Sequence, residues 1–254
     1  RIFHDENEKN LWIKKSANDD LKNFLNPEFT SLPIVRNVFG TGSVDRSARL
    51  DVNGFFNDFL SYLKEHKFLV QEKFDYNTLR IEENIYKSFT YKHVVFCEGI
   101  GVQENPYFKH IPVVPNKGHH IKVKLQKQLE TNVTIKKKHF LFPLDSDLYF
   151  YGGTYERDQL HSKIDDSAVE QLVNGLSEIY PYDFEVKEVS FGFRPTVKDR
   201  RPILGKHSDY ENLYVFNGLG ARGILNGCYF SKYLLDFIEN NKPLPEEVSL
   251  DRFK

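Results

Sequence analysis

The sequence predicts an α+β fold, and three observations carry that expectation. Apolar residues recur at helical spacing in some stretches and at strand spacing in others, with glycine and proline punctuation between them. Two apolar runs, residues 93–97 (HVVFC) and 213–217 (LYVFN), are each followed closely by glycines. That is the pattern of buried strands ending in tight turns. The second glycine turn, Gly218 to Gly223, leads into a helical stretch that ends near Asn240.

The elements follow in chain order. Residues 2–29 alternate charged clusters with Leu11, Trp12, Ile13, Leu21, Phe24 and Leu25, which predicts one or two short helices stopped by Pro27. Residues 32–49 contain Pro33, Gly40 and Gly42 and read as loop with short strands. Asp51 is then the expected N-cap of an amphipathic helix, because Phe55, Phe56, Phe59, Leu60 and Leu63 follow at i, i+3 and i+4 spacing. From residue 68 the period changes. Residues 68–70, 79–81, 88–89 and 93–97 predict short strands, the last buried on both faces. Residues 117–125 alternate around Gly118, Ile121, Val123 and Leu125, and residues 139–142 and 148–151 predict a hairpin turning at 145–147. Residues 168–179 predict a helix stopped by Pro181, and residues 186–193 a strand followed by a loop from 194 to 205.

Composition excludes several function classes. With 254 residues, 40% hydrophobic and 15% aromatic, the chain can bury a core and is not a disordered tail. Thirty-five basic residues against 36 acidic leave a net charge of −1, so no global field draws it to nucleic acid. No apolar run approaches the roughly 18 residues of a membrane span. Two distant cysteines, Cys97 and Cys228, make no disulfide framework, and a reducing, cytoplasmic setting is expected.

Two segments could carry chemistry. Backbone N–H groups at the 218–223 turn, at the start of a helix, can approach an anionic group or the polar edge of a ring; a plain strand-to-helix turn needing φ > 0 is the competing reading. Arg194, fixed by Pro195 at a strand end, is placed to grip a carboxylate with its two-pronged guanidinium, against the alternative of a surface ion pair. His119 and His120 are adjacent in a strand and point to opposite faces, so no metal site is expected. No Gly-x-Ser-x-Gly elbow, P-loop or HExxH occurs.

In order, these pieces resemble the FAD-dependent D-amino-acid oxidase / glycine oxidase family. The resemblance rests on Gly192-Phe193-Arg194-Pro195, Arg201-Pro202-Ile203-Leu204-Gly205 and Asn217-Gly218-Leu219-Gly220-Ala221-Arg222-Gly223. Support comes from Arg49-Leu50-Asp51-Val52, residues 94–101, Pro115-Asn116-Lys117-Gly118 and Gly152-Gly153-Thr154-Tyr155-Glu156. It implies a split Rossmann-like FAD domain with an antiparallel-sheet substrate domain. The implied division is 1–44 and 106–193 for the substrate domain, 45–105 and 194–254 for the FAD domain. Members begin with a βαβ unit carrying Gly-x-Gly-x-x-Gly. This chain opens at Arg1, contains no Met and has no such fingerprint; the expectation is a chain that continues upstream.

The resemblance also implies roles. Arg194 matches the substrate-carboxylate arginine. Gly218, Leu219, Gly220, Ala221, Gly223 and Ile224 match the turn beside the isoalloxazine ring. Gly99, Gly101, Phe74, Lys117 and Arg201 match positions near the cofactor. Phe140 stands where D-amino-acid oxidases place a carboxylate-supporting Tyr; a phenyl ring cannot donate that hydrogen bond, leaving Tyr149, Tyr151 and His139 as candidates to substitute. No Cys stands where sarcosine oxidases attach FAD, so noncovalent FAD is implied. The implied reaction is C–N oxidation of a small amino acid or secondary amine, with dioxygen or another electron acceptor. The oxidase part of a tRNA-modifying enzyme and a binding module without cofactor are the alternatives.

Overall fold

The computed structural model describes residues 1–129, 132–144, 147–157 and 161–253. Helix α1 (Glu6–Ser16) is capped by the Asp5 side chain, which accepts the Glu8 N–H. The chain then forms β1 (Leu25–Thr30) and β2 (Thr41–Val44), an antiparallel pair. This corrects the expected helix ending at Pro27. A two-stranded ribbon is all edge, so a residue without an N–H is tolerated there, and the register shifts between Leu25 and Phe29.

Helix α2 (Val52–Glu65) starts at Asp51 as the sequence predicts, with the Asp51 carboxylate accepting the Gly54 N–H at 3.1 Å. Residues 68–70 form no strand. A small meander follows: β3 (Leu79–Arg80), β4 (Ile85–Tyr86) and β5 (Phe89–Thr90). Strand β6 (Val94–Phe96) is not buried on both faces, since Val95 is 38% exposed.

The long strand β7 (Val114–Leu125) precedes β8 (Ile135–Lys136), β9 (Phe140–Pro143) and β10 (Leu148–Gly152). Strands β9 and β10 make the expected antiparallel hairpin; Asp145 and Ser146 of its predicted turn lie outside the described residues. Helix α3 (Asp166–Ile179) leads to β11 (Phe184–Thr196). Arg194 therefore lies within a strand and not in a loop after it. Strand β12 (Ile203–Lys206), within the expected loop, pairs antiparallel with β13 (Leu213–Asn217), and β13 pairs parallel with β6. Helix α4 (Gly223–Asn240) closes on Asn241 in the left-handed region.

The chain divides into two compact units. Unit 1 comprises residues 1–73, 119–154 and 164–190, and unit 2 comprises 74–118, 155–163 and 191–254, so the division falls inside β7 and β11. Residues 45–73, expected with the cofactor domain, group with unit 1. The antiparallel sheet has the order β11-β7-β10-β9-β8. In unit 1, one face of this sheet buries Ile121, Val123, Leu141, Tyr149 and Tyr151 against Leu172, Leu176 and Ile179 of α3. Each such fully buried Leu contributes about 2 kcal/mol. In unit 2, Phe96, Val102, Phe108, Val197, Ile203, Leu213 and Val215 form one core. Leu204, Tyr214, Leu234 and Val248 form a second.

Candidate functional site

Unit 2 brings two glycine turns together at the ends of parallel neighbours. Gly99 follows β6 at φ +56°, and Gly218 and Gly220 follow β13 at φ +72° and +55°. All three lie in the left-handed region that favours glycine. Asn217 joins the turns: its side-chain NH₂ donates to the Gly99 carbonyl at 2.8 Å, and its side-chain oxygen accepts the Gly218 N–H. A Cβ on Gly218 would lie 2.6 Å from Val197 Cγ2, so the turn tolerates no side chain. Glu98 braces the first turn by accepting from the Tyr76 hydroxyl and from Asn105, the latter at 2.7 Å.

Beyond the second turn, Leu219 lies between the two glycines, residues 220–222 form a single 3-10 turn, and Gly223 starts α4. Arg222 makes no side-chain cap, so no side chain of the N-cap occupies the first N–H groups of α4. Ile224 is 45% exposed just inside the helix. A cradle of left-handed glycines beside a helix start that its own N-cap leaves open fits the polar, electron-rich edge of a flavin ring. Gly99 and Gly101 lie in a 3-10 segment, residues 99–104, and not at the start of an α-helix.

Arg194 sits on a prepared seat in the same unit. Its guanidinium donates to Asn116 Oδ1 at 2.9 Å and lies 5.4 Å from the Tyr155 ring centroid. A Cβ on Gly118 would fall 2.2 Å from both terminal nitrogens, so Gly118 provides the space the guanidinium occupies. Partial burial pulls the Arg194 pKa down from its ordinary value, yet a guanidinium remains charged in proteins. Asn116 and Gly118, both in the Pro115–Gly118 motif, were not among the expected site residues; their alternation along one strand was the available signal.

The other expected residues are placed as follows. Lys117 is fully buried; its ammonium donates to the Lys163 carbonyl and stands 4.7 Å from the Phe191 ring centroid. Phe74 stacks on Tyr86 at 4.3 Å at the edge of a unit 2 core, in a segment that is not a strand. The Arg201 backbone is held through Asp199, whose carboxylate accepts the Arg201 N–H and the Arg252 guanidinium.

In unit 1, Tyr149 and Tyr151 point into the core and not to the open sheet face. The Tyr149 hydroxyl accepts the Leu129 N–H, and Tyr151 is fully buried, which pushes its phenol pKa up. His139 also faces inward, its Nδ1 at 3.0 Å from the Gly153 carbonyl. The two tyrosines are thus core residues by position, while Phe140 is 42% exposed on the opposite face. The one-residue alternation of a strand accounts for this split.

The family of FAD dependent oxidoreductases named DAO matches residues 69–237, which include both glycine turns and Arg194. The chain belongs to the DAO family. Among curated relatives, the bifunctional protein ThiO/ThiG of Trichormus variabilis is 26% identical over 64% of this chain and 26% of its own length. The D-amino acid dehydrogenase of Bradyrhizobium diazoefficiens is 27% identical over 56% of this chain and 35% of its own. The DAO-family chain thus spans about a quarter to a third of the curated relatives it matches. Among solved structures, L-proline dehydrogenase from P. horikoshii shares the fold with TM-score 0.63 and 12% identity, over 95% of this chain and 81% of that one. Glycine oxidase from Bacillus cereus does so with TM-score 0.53 and 22% identity, over 61% and 44%. These likenesses agree with the mixed helix and antiparallel-sheet architecture.

No described helix is long and apolar enough to cross a membrane, and among the described residues no group of three or more His, Cys, Asp or Glu is arranged to hold a metal ion.

Proposed function

We propose that this DAO-family chain serves an FAD-dependent enzyme that oxidises the C–N bond of a small amino acid or secondary amine. The observation that carries the reading is Arg194 on its seat of Asn116 and Gly118. A guanidinium is a planar fork of N–H donors that matches a carboxylate, and two parallel bonds fix the carboxylate plane. Fixing that plane orients the substrate α-carbon, which converts a collision into a positioned encounter.

FAD, held without a covalent link, would supply the redox chemistry at this turn, a two-electron oxidation of the C–N bond with dioxygen or another compound as the final acceptor. The chain's own part is positional. Gly218, Gly220 and Gly223 let the backbone come close to the ring, with Leu219 and Ala221 between them and Ile224 beside them. Asn217 keeps the Gly99 and Gly218 turns in register. The open N–H groups at the start of α4 favour negative charge at the ring edge. Lys117, Phe74, Gly101 and Arg201 remain candidate cofactor neighbours by resemblance, and Phe140 a candidate substrate neighbour. Cys97 and Cys228 are free, in keeping with a reducing compartment such as the cytoplasm.

Arg194→Ala is expected to raise KM for amino-acid substrates about 30- to 100-fold, the effect of losing a charge-assisted pair. Flavin absorbance should be unaffected, and Arg194→Lys should restore part of the loss. An unchanged KM removes Arg194 from the site, and a protein that takes up no FAD removes the flavin reading altogether.

A further inference from the structure

A 3-10 turn of unit 2, Leu250–Phe253, reaches the loop that backs the second glycine turn. Its approach runs beside β12. The Leu204 N–H donates to the Val248 carbonyl at 2.8 Å, and a Cβ on Gly205 would fall 2.5 Å from Leu250 Cβ. From this turn the Arg252 guanidinium engages all three of its nitrogens. Nε donates to Asp199 Oδ2 at 2.9 Å, one terminal nitrogen to the Arg201 carbonyl at 3.2 Å and the other to the Ser249 carbonyl at 2.9 Å. Asp199 Oδ1 accepts the Arg201 N–H at 3.0 Å. The Arg252 side chain is only 12% exposed, so water competes weakly for these bonds.

The gripped loop needs such support. Arg200 stands between the two residues that Arg252 holds, at φ +60°. A residue with a side chain persists in that region where its surroundings hold it there. The Arg200 N–H donates to the Val197 carbonyl at 3.0 Å and closes the loop. The two ends of the loop are the residues packed on Gly218. A Cβ on Gly218 would lie 2.6 Å from Val197 Cγ2 and 3.4 Å from Ile203 Cγ1, and Ile203 is the strand partner of Asn217. An unbroken path therefore runs from the guanidinium through the backbone at 199–201 to Val197 and Ile203, and so to the turn.

We propose that Arg252 is a positioning residue for the Gly218 turn, holding the 197–203 loop so that Val197 and Ile203 fix the turn backbone. That the turn receives FAD rests on the function proposed above; the link from Arg252 to the turn does not.

The test reads the turn with and without flavin. In the whole chain, Arg252→Gln should speed hydrogen exchange of the Gly218 amide, which donates to the Asn217 side chain, about tenfold. That factor is the worth of one charge-assisted hydrogen bond. Arg252→Lys keeps a charge for Asp199 but not the planar fork, and should speed exchange about threefold. It carries the test if Arg252→Gln does not fold. Asp199→Ala should match Arg252→Gln, and the double variant should be no worse than either, because both act through one link. Leu234→Val thins the core of the same unit on α4 and should leave Gly218 exchange unchanged. The fluorescence change on FAD binding should show about tenfold weaker affinity in Arg252→Gln and parent affinity in Leu234→Val. The proposal is overturned if Gly218 exchange in the Arg252 variants stays at the parent rate, or if Leu234→Val speeds it as much. It is overturned equally if the parent binds FAD and Arg252→Gln binds it as tightly. A parent chain that takes up no FAD while Arg252→Gln still speeds Gly218 exchange overturns the flavin reading and upholds the role of Arg252.

Discussion

Helices α2 and α3 are both 14 residues long, and each carries an apolar stripe at helical spacing. Only α3 buries its stripe. Leu172 and Leu176 are fully enclosed against β7, β9 and β10, and Ile179 and Tyr180 close the end of the helix. Phe55, Phe56, Phe59 and Leu60 of α2 are each more than 40% exposed, and α2 buries none of its side chains among the described residues. The apolar rings on α2 lie over one another, with Phe55 and Phe59 parallel at 6.2 Å. The difference teaches that an apolar stripe specifies a helix but not its partner. Stability in α3 comes from tertiary packing, whereas α2 relies on its Asp51 cap and on neighbouring side chains.

The largest effect should come from the packed helix. Leu176→Ala is expected to cost about 3 kcal/mol by leaving a cavity in a closed core, read as a lower urea midpoint. A cost below about 1 kcal/mol would mean that α3 is not the better anchored of the two. Gly175→Ala should cost about 1–3 kcal/mol by overpacking, since the new methyl would sit 2.9 Å from the Tyr151 hydroxyl. On α2, Asp51→Ala should cost about 1 kcal/mol through the lost cap. Phe59→Ala should cost less than Leu176→Ala, because Phe59 keeps 47% of its surface in water whereas Leu176 keeps none. If Phe59→Ala proved as damaging as Leu176→Ala, the contrast between the helices would be lost.

A pH dependence sharpens the same contrast, because it belongs to the buried side of unit 1. Burial, more than any other influence, holds the His139 pKa below the ordinary imidazole value, against the opposing pull of the Gly153 carbonyl. The unfolded chain therefore binds a proton that the folded chain refuses. The corresponding stability is present above the ordinary imidazole pKa and is lost as pH falls from that value toward the lowered one. Urea midpoints at pH 7.5 and pH 5 should fall more steeply for the parent than for His139→Gln. Parallel slopes would show that His139 does not titrate with folding.

Local signals were legible where the chemistry is local. The Asp51 cap, the β9–β10 hairpin and the strand, glycine turn and helix at 213–240 all rest on residues within one turn or one strand. The same is true of the left-handed glycines at 99, 218 and 220, whose backbone angles follow from the turn itself. Pro27 misled because a proline reads as a helix stop until the partner strand shows that it lies in an edge ribbon. Tyr149 and Tyr151 were expected near substrate because their residue type suited it. The pairing of β10 with β7 and β9 turns odd-numbered residues of β10 inward and Phe150 outward. The seat of Arg194 was only partly visible: Arg194 stood out beside a proline, whereas Asn116 is 78 residues away and acquires its meaning only through the hydrogen bond between them.

The sequence by itself determined the order and type of most elements, the two glycine turns and the membership in the DAO family. These are properties of neighbouring residues, whose backbone preferences and spacing act within a few positions. Only the tertiary structure decided which apolar stripe is enclosed, which tyrosines are core and which arginine has a built seat. Burial and orientation depend on surfaces supplied by residues far away in the chain, and no local period encodes them.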